Sequence, residues 1–243
     1  MIEALQLTKV FHDKKRGEIR AVDGVSFRCQ PGQIYGLLGA NGAGKTTTLR
    51  MLATILEPTD GTARVAGYDV VTQSDQVRAH VGFLSTATAL YGRLSAQETV
   101  EYFGRLFGLD EATLHRRIDE VFTRLEMNEF RDRRCDKLST GMKQKVSIAR
   151  TLVHDPPVMI FDEPTVGLDV MTARSIVGFI RECREHGKTV VFSTHVMSEA
   201  EKLCDTIGII HNGRILAEGS LAELRQRYGE QELEEIFVRV VGE

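Results

Sequence analysis

An α/β fold with a mostly parallel sheet and an inserted helical block is what this sequence predicts, on three observations. Short apolar runs bounded by turn residues alternate with stretches of helical periodicity, the pattern of strand–helix–strand units. One such run, residues 33–38 (QIYGLL), feeds a glycine-rich loop that opens a helix. From about residue 86 to 155 helical periodicity replaces the strand pattern, which resumes at Val158.

Taken in order, residues 2–8 and 22–27 read as a β-hairpin joined by a Lys/Arg/Gly turn, and Pro31-Gly32 punctuates the chain before the strand at 33–38. Residues 46–56 follow as a helix ended by Pro58, and 81–84 as a short strand. In the helical block Leu114, Ile118, Val121, Phe122 and Leu125 form one apolar stripe at i, i+4, i+7, i+8 and i+11. Residues 138–150 (LSTGMKQKVSIAR) place a Ser and a Gly at a helix start, ahead of a stripe through Val146, Ala149, Leu152 and Val153. Strands return at 158–161, 189–192 and 207–210, with a helix at 171–186 between the first two.

Composition narrows the function classes. The 243 residues can bury the core of one large domain or two small ones, and 27% charged with 42% hydrophobic residues is ordinary globular usage. A net charge of −3 provides no general field for nucleic acid, and Lys14-Lys15-Arg16-Gly17 reads as a solvated hairpin turn. Cys29, Cys135, Cys183 and Cys204 lie in no CxxC spacing and read as reduced structural thiols. The N-terminal residues carry no signal-peptide pattern, and no apolar run reaches the ~18 residues of a spanning helix. A membrane role is therefore expected through a partner.

Residues 39–46 (GANGAGKT) fit GxxxxGK[ST] in the strand–loop–helix context that this phosphate loop requires. Its glycines let successive N–H groups wrap phosphates, Lys45 reaches the β and γ oxygens, and Thr46 offers a hydroxyl to Mg²⁺. Asp162 ends a later apolar strand, where a carboxylate can hold the Mg²⁺ water shell. Glu163 follows it, placed to orient and deprotonate an attacking water. His195 ends the strand TVVFST on the same expected sheet edge and is a γ-phosphate sensor candidate. A GTPase reading fails, because the asparagines are followed by Gly42, Glu129 and Gly213 and never by the Lys of Asn-Lys-x-Asp. Arg131, Arg133 and Arg134 are better read as a polar linker into the helix at 139 than as a kinase lid.

The start of that helix is a second anion site, with free N–H groups at the positive end of a helix dipole. With the glycine loop, LSTGM, Asp162-Glu163-Pro164, Gly167-Leu168-Asp169 and His195 in this order, the chain resembles the ATP-binding subunits of ABC transporters from about residue 2 to 240. The resemblance implies a P-loop NTPase core of ABC type: a parallel sheet, an N-terminal antiparallel β-subdomain and a helical insertion. Residues 1–85 and 156–217 would form the core of a single domain, 86–155 the helical subdomain and 218–243 a C-terminal extension. It implies ATP and Mg²⁺ as ligands. It also implies a head-to-tail dimer, in which Ser139 and Gly141 of one copy close on the γ-phosphate held by the partner's loop of Gly39, Asn41, Gly42, Ala43, Gly44, Lys45, Thr46 and Thr47. Phe11 matches the aromatic that stacks on adenine, and Asp169 the acidic residue linking the two sites.

Two departures stand out. Thr86 replaces a glutamine that normally lies between metal and transporter, so any metal contact there would run through water. Thr140 and Met142 replace the usual Gly and Gln of the signature, which implies weaker or slower closure. LSTGMKQK, FLST, GLDVMTAR and LEEIF resemble the export subfamily that includes sodium-exporting (NatA-type) pumps and drug exporters. The expected partners are a second copy and an integral-membrane permease, with no nucleic acid, and the expected location is cytoplasmic, on the inner face of the cell membrane. Leu90, Tyr91, Phe103, Leu106 and Phe107 would partly line the permease-facing groove. A soluble ABC ATPase acting as a switch on a protein scaffold is the alternative.

Overall fold

The computed structural model describes residues 1–13, 17–85 and 89–242. Two sheets share the work. β1 (Ile2–Asp13), β2 (Gly17–Cys29), β4 (Asp60–Val65) and β5 (Tyr68–Asp69) form an antiparallel sheet in the order β2-β1-β4-β5. A six-stranded sheet has the order β10-β9-β3-β8-β7-β6 and is built from β3 (Ile34–Leu38), β6 (Val81–Ser85), β7 (Val158–Asp162), β8 (Thr189–Thr194), β9 (Thr206–His211) and β10 (Arg214–Gly219). The first five pair in parallel, and β10 alone runs antiparallel to its neighbour.

Every residue of β3, β7 and β8 is buried, as expected of parallel strands covered on both faces. Alternation along them sorts the two cores. Met159, Phe161, Val190 and Phe192 join Leu114, Ile118, Val121 and Phe122 of α4 (Glu111–Arg124) under the helical block. Val158, Ile160 and Val191 face the other way, against Leu49 and Leu52 of α1 (Lys45–Leu52) and the antiparallel sheet. A third cluster packs Leu224, Leu233 and Ile236, from the C-terminal helices α8 (Leu221–Tyr228) and α9 (Leu233–Gly242), on β9 and β10.

Within the described part of 86–155 the helices are α3 (Ala96–Leu106), α4 and α5 (Thr140–Leu152), and the strand pairing there is a single bridge, Ser95 with Arg134. A capping box, Ser95 with Glu98, starts α3. Between β7 and β8 runs α6 (Val170–Glu185). The described elements also include α2 (Ser74–His80) and α7 (Met197–Leu203).

The helix expected over 46–56 is shorter, stopping at Leu52. Thr54 takes φ +58°, its N–H donates to Met51 O, and Ile55 N–H donates to Arg50 O. This is a Schellman stop with Thr where Gly is usual, so the chain turns before Pro58.

Candidate active site

The carboxyl ends of β3, β7 and β8 meet at one edge of the parallel sheet, with Leu38 beside Thr194 and Asp162 beside Ser193. The glycine loop leaves β3 there and turns into α1. Gly44 takes φ +107° at the helix N-cap, a region reserved for glycine, and supplies no capping side chain. The first N–H groups of α1 are thereby left for an anion at the positive end of the dipole. Gly39 is needed for a different reason: a Cβ there would collide with the carbonyl of Ile210.

A cleft of about 150 Å³ is lined by Ala21, Asn41, Gly42, Gly44, Lys45, Thr46, Thr47 and Glu163. Gly39 and Ala43 are not among these residues; Ala43 is buried and its carbonyl accepts from Gly213 N–H. Lys45 is 4% exposed. Its Nζ donates to the carbonyls of Gly39 (2.7 Å) and Ala40 (3.0 Å) and pairs with Glu163 Oε1 at 2.9 Å. Glu163 Oε2 in turn lies 3.0 Å from His195 Nδ1. The three residues picked out in the sequence are thus one connected chain of polar contacts.

Asp162, also buried, accepts on Oδ1 from Thr46 Oγ1 and from Ser193 Oγ, both at 2.9 Å. Thr46 lines the cleft and Asp162 lies directly beside it; a paired hydroxyl and carboxylate are hard oxygen donors that suit Mg²⁺, which keeps several waters and takes few protein ligands. Among the described residues no cluster of three or more His, Cys, Asp or Glu offers a fuller cage, so a metal here would complete its shell with water and phosphate. Thr86 lies outside the described residues.

The helix start expected as a second anion site stands apart. Ser139 caps α5, its hydroxyl accepting from Met142 N–H at 3.3 Å, and Gly141 falls in the first turn. Asp169 caps α6, accepting from the N–H groups of Met171 and Thr172 and from the Thr172 hydroxyl. The Thr172 hydroxyl, helped by those amides, holds the Asp169 carboxyl below the usual range. A Cβ on Gly141 would sit 3.4 Å from Thr172 Oγ1, so these two caps are neighbours within one chain. Neither Ser139, Gly141 nor Asp169 lines the phosphate cleft.

Phe11 projects from β1 opposite Ile19, 40% exposed, with Lys9 Nζ 5.5 Å from its ring centroid. It is not hairpin core, nor is it among the residues lining the phosphate cleft. The expected apolar groove splits. Tyr91 and Leu106 are exposed, whereas Leu90 and Phe103 pack on the helical core and Phe107 stacks on His154 at 3.6 Å. Tyr102, which the sequence reading passed over, is exposed and packs edge-on against both Tyr91 and Phe103.

Ser193 was also passed over. The signal for it is a hydroxyl in a strand buried at every position, shared with Thr189 and Thr194, because such groups must find partners inside the protein.

Residues 22–166 match the family model described as ABC transporter. The chain is 41% identical over 239 residues to the ABC transporter ATP-binding protein NatA of Bacillus subtilis, spanning 98% of this chain and 97% of that protein. It is 40% identical over 211 residues to the Nod factor export ATP-binding protein I of Ralstonia nicotianae, spanning 87% of this chain and 66% of that one. Among solved structures, the dimeric ATP-binding cassette MJ0796, in a post-hydrolysis state bound to ADP and Pi, superposes with a TM-score of 0.80 at 26% identity, over 90% of this chain and 98% of that chain.

Proposed function

The chain belongs to the ABC transporter family of ATP-binding and ATP-hydrolysing subunits, and from this premise we propose that it powers export through a separate integral-membrane permease. Two copies stack head to tail, with ATP sandwiched between the loop of one and the Ser139–Gly141 helix start of the other. The observation that carries this reading is the division of the chain's anion-binding groups. Lys45, Thr46 and Glu163 line one cleft, with Asp162 bonded to Thr46 and His195 to Glu163 beside it, while the capped start of α5 contributes nothing to it. On this reading a single copy holds two half-sites, and the likeness to a cassette that is dimeric and bound to ADP and Pi supports it.

Within the cleft, the loop amides and Lys45 hold the β and γ phosphates, and Phe11, outside the cleft lining, receives adenine. Thr46 and Asp162 would hold Mg²⁺, which when bound would neutralise charge on the phosphates. Glu163 takes the proton of the attacking water, and His195 keeps the Glu163 carboxylate aimed at it and senses the γ-phosphate. Asp169, at the cap beside Gly141, links closure of one site to the other.

Among the described residues no helix is long and apolar enough to cross a membrane. Attachment to the inner face of the cell membrane through the permease fits that, with Tyr91, Tyr102 and Leu106 exposed on the helical block. The likeness to NatA makes sodium the first cargo to test and drugs the second. Inverted membrane vesicles carrying this chain and its co-purifying permease should accumulate labelled Na⁺ or a drug on addition of ATP, and not with Glu163→Gln. Co-purification with a soluble scaffold and no polytopic membrane protein would overturn the export reading.

A further inference from the structure

We propose that Ser193 is a positioning residue of the hydrolytic site, its one hydroxyl setting Asp162 and Glu163 in register with each other and with the phosphate loop. This rests on the ATPase reading above. Ser193 is fully buried near the end of β8, where the sheet pairs it directly with Asp162 of β7. Its Oγ donates to Asp162 Oδ1 at 2.9 Å and accepts the backbone N–H of Glu163 at 3.0 Å. A hydroxyl has one proton and two lone pairs, so donor and one acceptor position are both used.

Two features make this more than a satisfied core serine. First, Asp162 Oδ1 also accepts from Thr46 Oγ1 at 2.9 Å, so one carboxylate oxygen is held between a hydroxyl from the head of α1 and a hydroxyl from the end of β8. The orientation of the proposed metal-holding carboxylate is thereby fixed from two independent elements. Second, Glu163 takes φ +46°, an uncommon conformation for a residue with a side chain. The Ser193 acceptor anchors its N–H in that conformation, and from there the carboxylate reaches Lys45 on one oxygen and His195 on the other. Without the hydroxyl, the Asp162 carboxylate keeps only its Thr46 contact and can pivot about it, and the Glu163 backbone can relax. Both would displace groups whose value depends on placement to within a fraction of an ångström.

The test compares Ser193→Ala and Ser193→Cys with wild type in the full chain; sulfur fills the oxygen's place but donates weakly, and keeps the test open should the alanine variant unfold. Steady-state turnover is measured together with the affinity for a fluorescent ATP analogue in Mg²⁺ and in EDTA, and with Tm. The expected result is a kcat lower by ~10-fold or more in both variants, as misplacement of reacting groups predicts, with affinity in EDTA unchanged and the gain in affinity from Mg²⁺ reduced. Turnover and Mg²⁺ gain both equal to wild type in either folded variant would overturn the proposal. So would a loss of affinity in EDTA that tracks a fall in Tm, which is the signature of packing alone. Asp162→Asn and Glu163→Gln run in parallel: if these keep full turnover the site reading fails, whereas if they collapse and the Ser193 variants do not, the positioning role alone fails.

Discussion

Lys45 and Glu163 form an ion pair, Nζ to Oε1 at 2.9 Å, with the lysine almost wholly buried. The ammonium proposed to hold the β and γ phosphates thus lies against the carboxylate proposed to activate water. Glu163→Gln removes the charge but keeps the shape. ATP affinity should hold or rise, while turnover falls by ~10² or more, about 2.7 kcal/mol of barrier. A closed ATP-bound dimer should accumulate on size-exclusion chromatography. Hydrolysis at the wild-type rate would remove Glu163 from the mechanism.

Gly44→Ala tests the loop itself. At φ +107° a side chain is strained, and a Cβ would stand 2.6 Å from the Ala21 carbonyl, whose residue lines the same cleft. The strain should cost about 1–3 kcal/mol, read as a lower Tm, and nucleotide affinity should drop at least ~10-fold as the N–H cradle is displaced. An unchanged affinity would mean that the backbone of this loop does not hold the phosphates.

Much of this site is legible in the sequence because its chemistry sits in local patterns. GANGAGKT, the Asp-Glu pair after VMIF and the His after TVVFST each announce a sheet edge, and β3, β7 and β8 align those edges. The helical block was equally plain, since the stripe of α4 is long and regular. What stayed hidden depended on contacts between distant segments. β4 shows weak alternation of its own, and its place is fixed by pairing with β1, Ile2 opposite Val65. The stop of α1 carries no glycine to mark it. Ser193 looks like any strand residue until β7 is laid beside it, and the pairing of Lys45 with Glu163 is a tertiary contact that no local spacing encodes.

His154 gives a pH dependence outside the site. Burial against Phe107 pushes its pKa down to about 4, from the usual 6.5. Between those values the unfolded chain binds a proton that the folded chain refuses. This contribution to stability is therefore constant above pH 6.5 and is lost as pH falls toward 4. Gln at this position can still donate to the Val81 carbonyl, which His154 Nε2 approaches at 3.3 Å, but does not titrate. Urea unfolding at pH 7.5 and 5.0 should show wild type losing on the order of 1–2 kcal/mol more than His154→Gln. Equal losses would place the titration elsewhere.

The composite site is the central claim, and mixing two inactive variants tests it most directly. Ser139→Arg should leave nucleotide binding to a single copy intact, since Lys45 and the loop are untouched, yet abolish turnover by filling the gap meant for the partner's phosphate. Lys45→Ala should lose binding itself. In a mixed dimer one interface pairs an intact loop with an intact Ser139–Gly141 helix start. ATP hydrolysis, assayed with the permease present, should therefore reappear on mixing and peak near equal amounts of the two. Absence of activity at every ratio, with mixed dimers shown to form, would contradict the head-to-tail account.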